Sequence, residues 1–261
     1  IDGVVGIITW VAKLPFLLLA LAATSLMTGM AHLGGSKIEG FLTPDDIFFN
    51  RVGITEIDFF NFSGETSAIK TIRVNIATWY YILRVLSIVI LLAVLIYIGI
   101  RMAISTIASE KAQYKRMLTD WVVSFALLFL LNYIIMFTIE ANNAFVAMLS
   151  GPARVTIGNG VINKLATMTL SLSATKSWGA LIVLWSLIGM TFAFLIMYVR
   201  RMLTIGFLII ISPLITITYS IDKVKDSTAQ ALNTWMKEFM FNVLIQPFHC
   251  IIYLVFVSTI M

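Results

Sequence analysis

ALIVLWSLIGMTFAFLIMYVRRMLTIGFLIIISPLITITY (Ala180–Tyr219) carries no charge except the pair Arg200-Arg201. Coiled as one helix it would be roughly 60 Å long. A helix crossing the ~30 Å hydrocarbon layer of a bilayer needs only about 20 such residues. The stretch therefore reads in one of two ways. Either it is two spans with the hairpin turn at Arg200-Arg201 itself, or it is one long bent element broken at Ser212-Pro213. Pro213 removes a backbone hydrogen bond and kinks a helix. Inside a bilayer such a break persists only where protein buries it or a cavity lines it. The first reading puts SIDKVKDSTAQALNTW (Ser220–Trp235) outside and the second puts it in the cytoplasm. Its acids and bases balance, so charge does not choose.

Similar runs recur along the chain. Leu14–Leu33, Leu86–Ile100 and Phe239–Met261 carry no Asp, Glu, Lys or Arg, and Leu118–Ile139 carries Asp120 alone. The chain is 60% hydrophobic and only 12% charged, about half the charge of an ordinary soluble domain. The fold class is all-α: a polytopic transmembrane helical bundle of about five to six spans, with one helix broken near Ser212-Pro213. The chain starts at Ile1 and stops within an apolar run, so a fragment of a longer protein is expected. The lone cysteine, Cys250, allows no internal disulfide and reads as a small buried hydrophobe.

Loops divide the chain. Residues 1–33 form an amphipathic lead-in and the first span, with Pro15 in its first turn and Gly34-Gly35 as its stop. Residues 34–75 form an acidic, Phe-rich loop, in which IFFNRVGITEIDFFNF (Ile47–Phe62) suggests a packing or docking surface. Residues 76–139 hold two spans, the first opened by an aromatic belt at Trp79, Tyr80 and Tyr81. Residues 140–179 form a Ser/Thr/Gly-rich loop, and residues 180–261 hold the remaining spans with the Arg-Arg turn and the Ser-Pro break. The positive-inside rule places the basic linker SEKAQYKR (Ser109–Arg116) and Arg200-Arg201 in the cytoplasm, and both long loops outside.

Within the spans, polar residues mark candidate sites. Arg84 lies about five residues inside the aromatic belt, snorkelling to the surface or pairing within the bundle. Asn242, Gln246 and His249 recur at i, i+4 and i+7 around Pro247, so they share one helix face. Such a stripe is expensive in lipid unless it meets another helix or water. It reads as interhelical hydrogen bonding or, more sharply, as the lining of a pathway. Lys111, Lys115, Arg116, Arg200 and Arg201 form the cytoplasmic basic face, suited to anionic lipid and to phosphates. No catalytic signature occurs: there is no G-x-S-x-G, H-E-x-x-H, C-x-x-C or phosphate loop. The expectation is a non-enzyme without metal or cofactor, powered by a partner or a gradient.

From Arg200 to Phe256 the chain reads as a basic pair, RMLTIGFLIIISPLITITYSIDK, then AQALNTWMKEFMFNVLIQPFHCIIYLVF. With its Ser212-Pro213-Leu214 element and Trp235, this stretch resembles the TrbL-type polytopic inner-membrane subunit of type IV secretion and conjugation systems. The FFN-containing first loop and KAQYKRML (Lys111–Leu118) look like the versions of Gram-positive mobile elements. The resemblance covers about a third of the chain closely and the rest by span order. It implies a non-enzymatic channel or scaffold subunit in the bacterial cytoplasmic membrane. Its implied partners are other secretion subunits including an ATPase, further copies of itself, anionic lipids, and single-stranded DNA or protein cargo in transit. Two other classes remain open on the residues: a small-solute transporter or ion channel, which predicts paired broken helices around a midplane site, and a membrane-embedded assembly or immunity-type protein without a pore.

Overall fold

The computed structural model describes residues 2–33, 41–60, 67–157, 167–171, 178–226 and 230–260. All regular structure among them is helical: α1 (Asp2–Leu33), α2 (Pro44–Phe48), a 3-10 turn (Gly53–Thr55), α3 (Ser67–Ile104), α4 (Ala108–Ile157), the short α5 (167–171), α6 (Trp178–Asp226) and α7 (Gln230–Ile260). Five of these, α1, α3, α4, α6 and α7, are long and apolar enough to cross a membrane. The chain is an all-α, multi-span membrane bundle, as its composition requires.

α6 is the central helix, and what packs on it changes along its length. Leu184, Ile188, Leu195 and Tyr198 meet α1 (Ala20, Met27, Ala31), the 42–52 segment, Val146 of α4 and Cys250 and Tyr253 of α7. Met202, Ile205 and Ile209 meet Ile76 and Tyr80 of α3, Leu131, Ile135 and Ile139 of α4, and Trp235, Phe239 and Val243 of α7. Ile217 meets Leu91 of α3 and Leu128 of α4. Partner numbers rise along α3 and fall along α4 and α7 as α6 is climbed. α3 therefore runs parallel to α6, while α4 and α7 run antiparallel to it. At Gly206 a Cβ would lie 2.9 Å from Ile76 Cδ1, so a larger residue there would require the tip of the Ile76 side chain to shift.

Two expectations for Ala180–Tyr219 are corrected here. There is no turn at Arg200-Arg201 and no break at Ser212-Pro213, because α6 runs continuously from Trp178 to Asp226. Pro213 has no N–H for the carbonyl of Ile209, four residues back. The Ser212 hydroxyl donates to that carbonyl at 2.7 Å, so the freed acceptor is satisfied within the helix and no break is needed. Thr216 in turn donates to Pro213 O at 2.7 Å.

The loops also differ from expectation. α4 continues through Gly151-Pro152 to Ile157, so the first half of the 140–179 segment is helix. α3 begins at Ser67, upstream of the aromatic belt, of which Tyr80 is buried while Trp79 and Tyr81 are exposed. The 42–59 segment is not a free loop: Ile47, Val52, Ile57 and Phe59 are all 0% exposed. Arg73 on α3 pins it, donating to Gly53 O at 3.0 Å and Glu56 O at 3.1 Å. The Gly34-Gly35 stop and Gly158-Asn159-Gly160 lie outside the described residues.

The central helices are taller than a bilayer. The candidate spans on α6 (Trp178–Tyr219) and α4 (Ala108–Gly151) have 42 and 44 residues, charged positions included, roughly 65 Å each. A tilt of about 40° still leaves ~50 Å, against ~30 Å of hydrocarbon.

Candidate functional site

Pro247 sets up a polar junction that crosses the bundle. Like Pro213, it leaves the carbonyl four residues back, here that of Val243, without its helical donor. Arg201 on α6 takes up this acceptor. Its Nη2 donates to Val243 O at 2.8 Å, its Nε to Asn242 O at 2.7 Å and its Nη1 to Gln246 Oε1 at 2.9 Å. The guanidinium also lies over the Tyr198 ring, 5.4 Å from its centroid. The side chain is 6% exposed, and no carboxylate pairs with it among the described residues.

Gln246 is fully buried and carries the junction outward. Its Oε1 also accepts from Asn142 Nδ2 of α4 at 3.3 Å. Its Nε2 donates to Phe48 O at 2.9 Å and to Asn50 Oδ1 at 2.6 Å. Asn50 completes the circuit by donating to Asn143 Oδ1 at 3.3 Å. Asn50 has φ 54, a left-handed conformation that asparagine tolerates better than most residues. That turn brings the chain back after α2 and aims the Asn50 amide inward. Beside it, the Cys250 thiol donates to Phe48 O at 3.2 Å and Tyr198 OH lies 3.1 Å from His249 Nδ1. Every polar atom of the Gln246 amide is thus bonded to the protein itself, which is what burial of such a group requires.

The residues singled out by sequence divide on this geometry. Asn242, Gln246 and His249 do meet other elements, but by different means: Asn242 through its carbonyl, Gln246 through its amide and His249 through its ring. Arg84 is half-buried against α4, its guanidinium 5.0 Å from the Phe129 ring. Lys111, Lys115, Arg116 and Arg200 are all exposed, but they do not form the single basic face expected: α4 runs antiparallel to α6, so Arg200 lies near the level of Glu140, roughly 36 Å of helix from Arg116. Arg201 is not on that face. Successive helix residues point about 100° apart, so Arg200 and Arg201 cannot face the same way. Arg201 falls on the stripe of Tyr198 and Ile205 that packs into the bundle. Ser212 and Pro213 are buried in the continuous α6.

Asn50, Asn142 and Asn143 escaped the sequence reading, as did Arg73. The only signal was the Asn142-Asn143 pair inside a long apolar helix, where unpaired amides are unfavourable. At the mouth of the 42–59 segment, Asp45 and Asp46 gather around Thr43 and Arg51. Burial first, and the neighbouring Asp46 charge second, raise the Asp45 carboxyl above the usual carboxylate range, against the opposing pull of Thr43 and Arg51. Among the described residues no group of three His, Cys, Asp or Glu side chains assembles as a metal set. A scan against family models, a search of curated proteins and a search of solved structures each find no match to this chain, so its functional reading rests on its own residues.

Proposed function

We propose that this chain is a non-enzymatic channel or scaffold subunit of a bacterial type IV secretion machine that transfers conjugative DNA or protein. It works in the cytoplasmic membrane with an ATPase and other subunits that supply energy. The sequence resemblance from Arg200 to Phe256 motivates this reading. The observation that supports it best is that the Arg201–Gln246 junction is built from the chain's own groups, with Asn142 Oδ1 left without a partner there. Arg201, Gln246, Asn142 and Asn50 bond to one another and to main-chain carbonyls, and α6 and α7 pass Pro213 and Pro247 without unwinding. A transporter of small solutes places unwound helix ends around a midplane site. Here the Pro213 position is satisfied within α6 and the Pro247 position ties α7 to α6, which suits a wall unit of a larger channel. The exposed bases Lys111, Lys115 and Arg116 then hold the subunit against anionic lipid, each worth ~1 kcal/mol near such a surface.

The test is a marked conjugative element in the native host. Deleting the gene is expected to cut transfer at least about 100-fold, with recovery on complementation, and the tagged chain should co-purify with a secretion ATPase. Normal transfer after deletion, together with solute flux through the purified chain alone in liposomes, would replace this reading with the transporter.

A further inference from the structure

The 42–59 segment holds two carboxylates that its own donors serve unequally. Asp45 and Asp46 are 9% and 7% exposed. Both reach the Thr43 hydroxyl, and Asp46 Oδ2 also accepts from Thr43 N at 3.1 Å. A hydroxyl has one proton to give, so one of these two carboxylate–hydroxyl contacts lacks its hydrogen. Arg51 Nη1 donates to Asp46 Oδ1 at 3.2 Å and reaches Asp45 Oδ2 only at 3.5 Å. Asp45 is thus the carboxylate left short of donors. Charge is unbalanced too. Two acids face one guanidinium, whose side chain is 34% exposed and so screened by solvent. Burial and then the Asp46 charge hold the Asp45 carboxyl above its ordinary range.

A separate observation on α7 points into the same place. Tyr253 is 7% exposed, and its phenol oxygen is buried without a hydrogen-bond partner. Its ring lies against Phe48 and Phe49, with centroids 5.5 and 6.1 Å away, on the turn that follows Asp45 and Asp46. Asp45, Asp46 and Arg51 are the charged groups that act on this phenol. A buried hydroxyl with no partner is costly, and buried polar groups are nearly always served. Here an unserved phenol is held beside a carboxylate short of donors, yet no hydrogen bond joins the two.

We propose that Thr43, Asp45 and Tyr253 form a binding site for a small, hard monovalent cation of the sodium class. Its donors are all oxygen: a carboxylate, an aliphatic hydroxyl and a phenol, the set that hard cations take. A cation there supplies the missing positive charge and takes up the lone pairs of the phenol, so both deficits close together. The surplus of one acid over one guanidinium matches a single positive charge. A divalent ion draws on more carboxylates, and no third acid joins the cluster among the described residues. Entry is past the partly exposed Arg51. Once bound, the ion ties α7 to the 42–59 segment, one helical turn beyond the contact of Cys250 with Phe48 O. The site holds independently of the secretion reading, since it needs only this chain.

The experiment melts the full chain in detergent at mildly alkaline pH and constant ionic strength, in choline chloride and in sodium chloride. Sodium at about 100 mM is expected to raise the wild-type midpoint by ~3–5 °C over choline, saturating with concentration. Tyr253→Phe and Asp45→Asn should melt no lower than wild type in choline, because each removes an unserved group, and both should lose most of the sodium shift. Tyr81→Phe, at an exposed tyrosine, should keep it whole. Equal wild-type midpoints in sodium and choline overturn the cation site; a rise on acidification alone would then assign the position to a proton. A sodium shift that survives intact in both Tyr253→Phe and Asp45→Asn places the ion elsewhere and overturns these ligands. A larger shift from calcium than from sodium, lost in the same two variants, overturns the monovalent assignment.

Discussion

At Arg201 a guanidinium sits inside an apolar bundle, held by two main-chain carbonyls and one side-chain amide. Arginine keeps its charge there, and its planar fork serves several acceptors at once. Truncating it leaves three buried acceptors short of a donor, each worth ~1 kcal/mol or more. Removing the buried charge offsets part of that. Arg201→Met should therefore destabilise the chain by ~2–4 kcal/mol and Arg200→Met by under ~0.5 kcal/mol, read as denaturant midpoints in detergent. Equal small losses from both would remove Arg201 from the core. Asp45 gives a second residue-scale expectation. Its carboxyl is raised above the ordinary 3.8, so the folded state binds the proton more tightly than the unfolded chain. That contribution is fully present below the unfolded value and is lost as pH rises through the folded one. Asp45→Asn should melt above the wild type near pH 7, with the gap closing toward pH ~4. A gap that stays constant over that range assigns the effect to packing instead.

At the scale of elements, two prolines sit inside helices that stay whole, and each frees one carbonyl. In α6 the neighbouring Ser212 answers it; in α7 the donor comes from another helix, Arg201 of α6. Proline thus makes α7 sticky at one point of its backbone. Pro247→Ala supplies an N–H for Val243 O and competes with Arg201 for it. A double-mutant cycle of Pro247→Ala with Arg201→Met should then show a coupling of ~1 kcal/mol, Arg201→Met costing less once Pro247 is gone. Strict additivity would mean that the bond to Val243 O contributes nothing.

Across the whole molecule, the 42–59 segment acts as a wedge between α6 and α7. The Phe48 ring meets Phe194 edge-on at 4.8 Å and lies 5.7 Å from Tyr198 and 5.5 Å from Tyr253. Its carbonyl receives Gln246 and Cys250. Phe48→Ala opens a cavity at the point where three elements meet and should lower stability by ~3 kcal/mol or more. Because the junction depends on the same segment, it should also expose Cys250 to thiol reagents, a faster labelling rate being the readout. Unchanged labelling would show that α6 and α7 hold together without the wedge.

Class and element type were legible from residues alone. Length and apolarity suffice for spans, because a bilayer and a helix rise fix about 20 residues per crossing. The buried character of Cys250 and the shared face of Asn242, Gln246 and His249 followed from local spacing in the same way. A turn at Arg200-Arg201 and a break at Ser212-Pro213 were the two alternatives, the first because Ala180–Tyr219 is longer than one crossing needs and the second because proline denies its helix a bond, and neither occurs. What supplies the missing partner is nearby in space: a hydroxyl one residue away for Pro213, and a carbonyl on α7 for Arg201. The junction was out of reach for a related reason. Asn50, Asn142, Arg201 and Gln246 are far apart in the chain and come together only when α4, α6 and α7 pack around the 42–59 segment. Local sequence determines that these helices form and which faces are apolar; the tertiary structure decides which buried polar groups find each other, since a hydrogen bond depends on distances of a fraction of an ångström that no sequence spacing across separate helices can set.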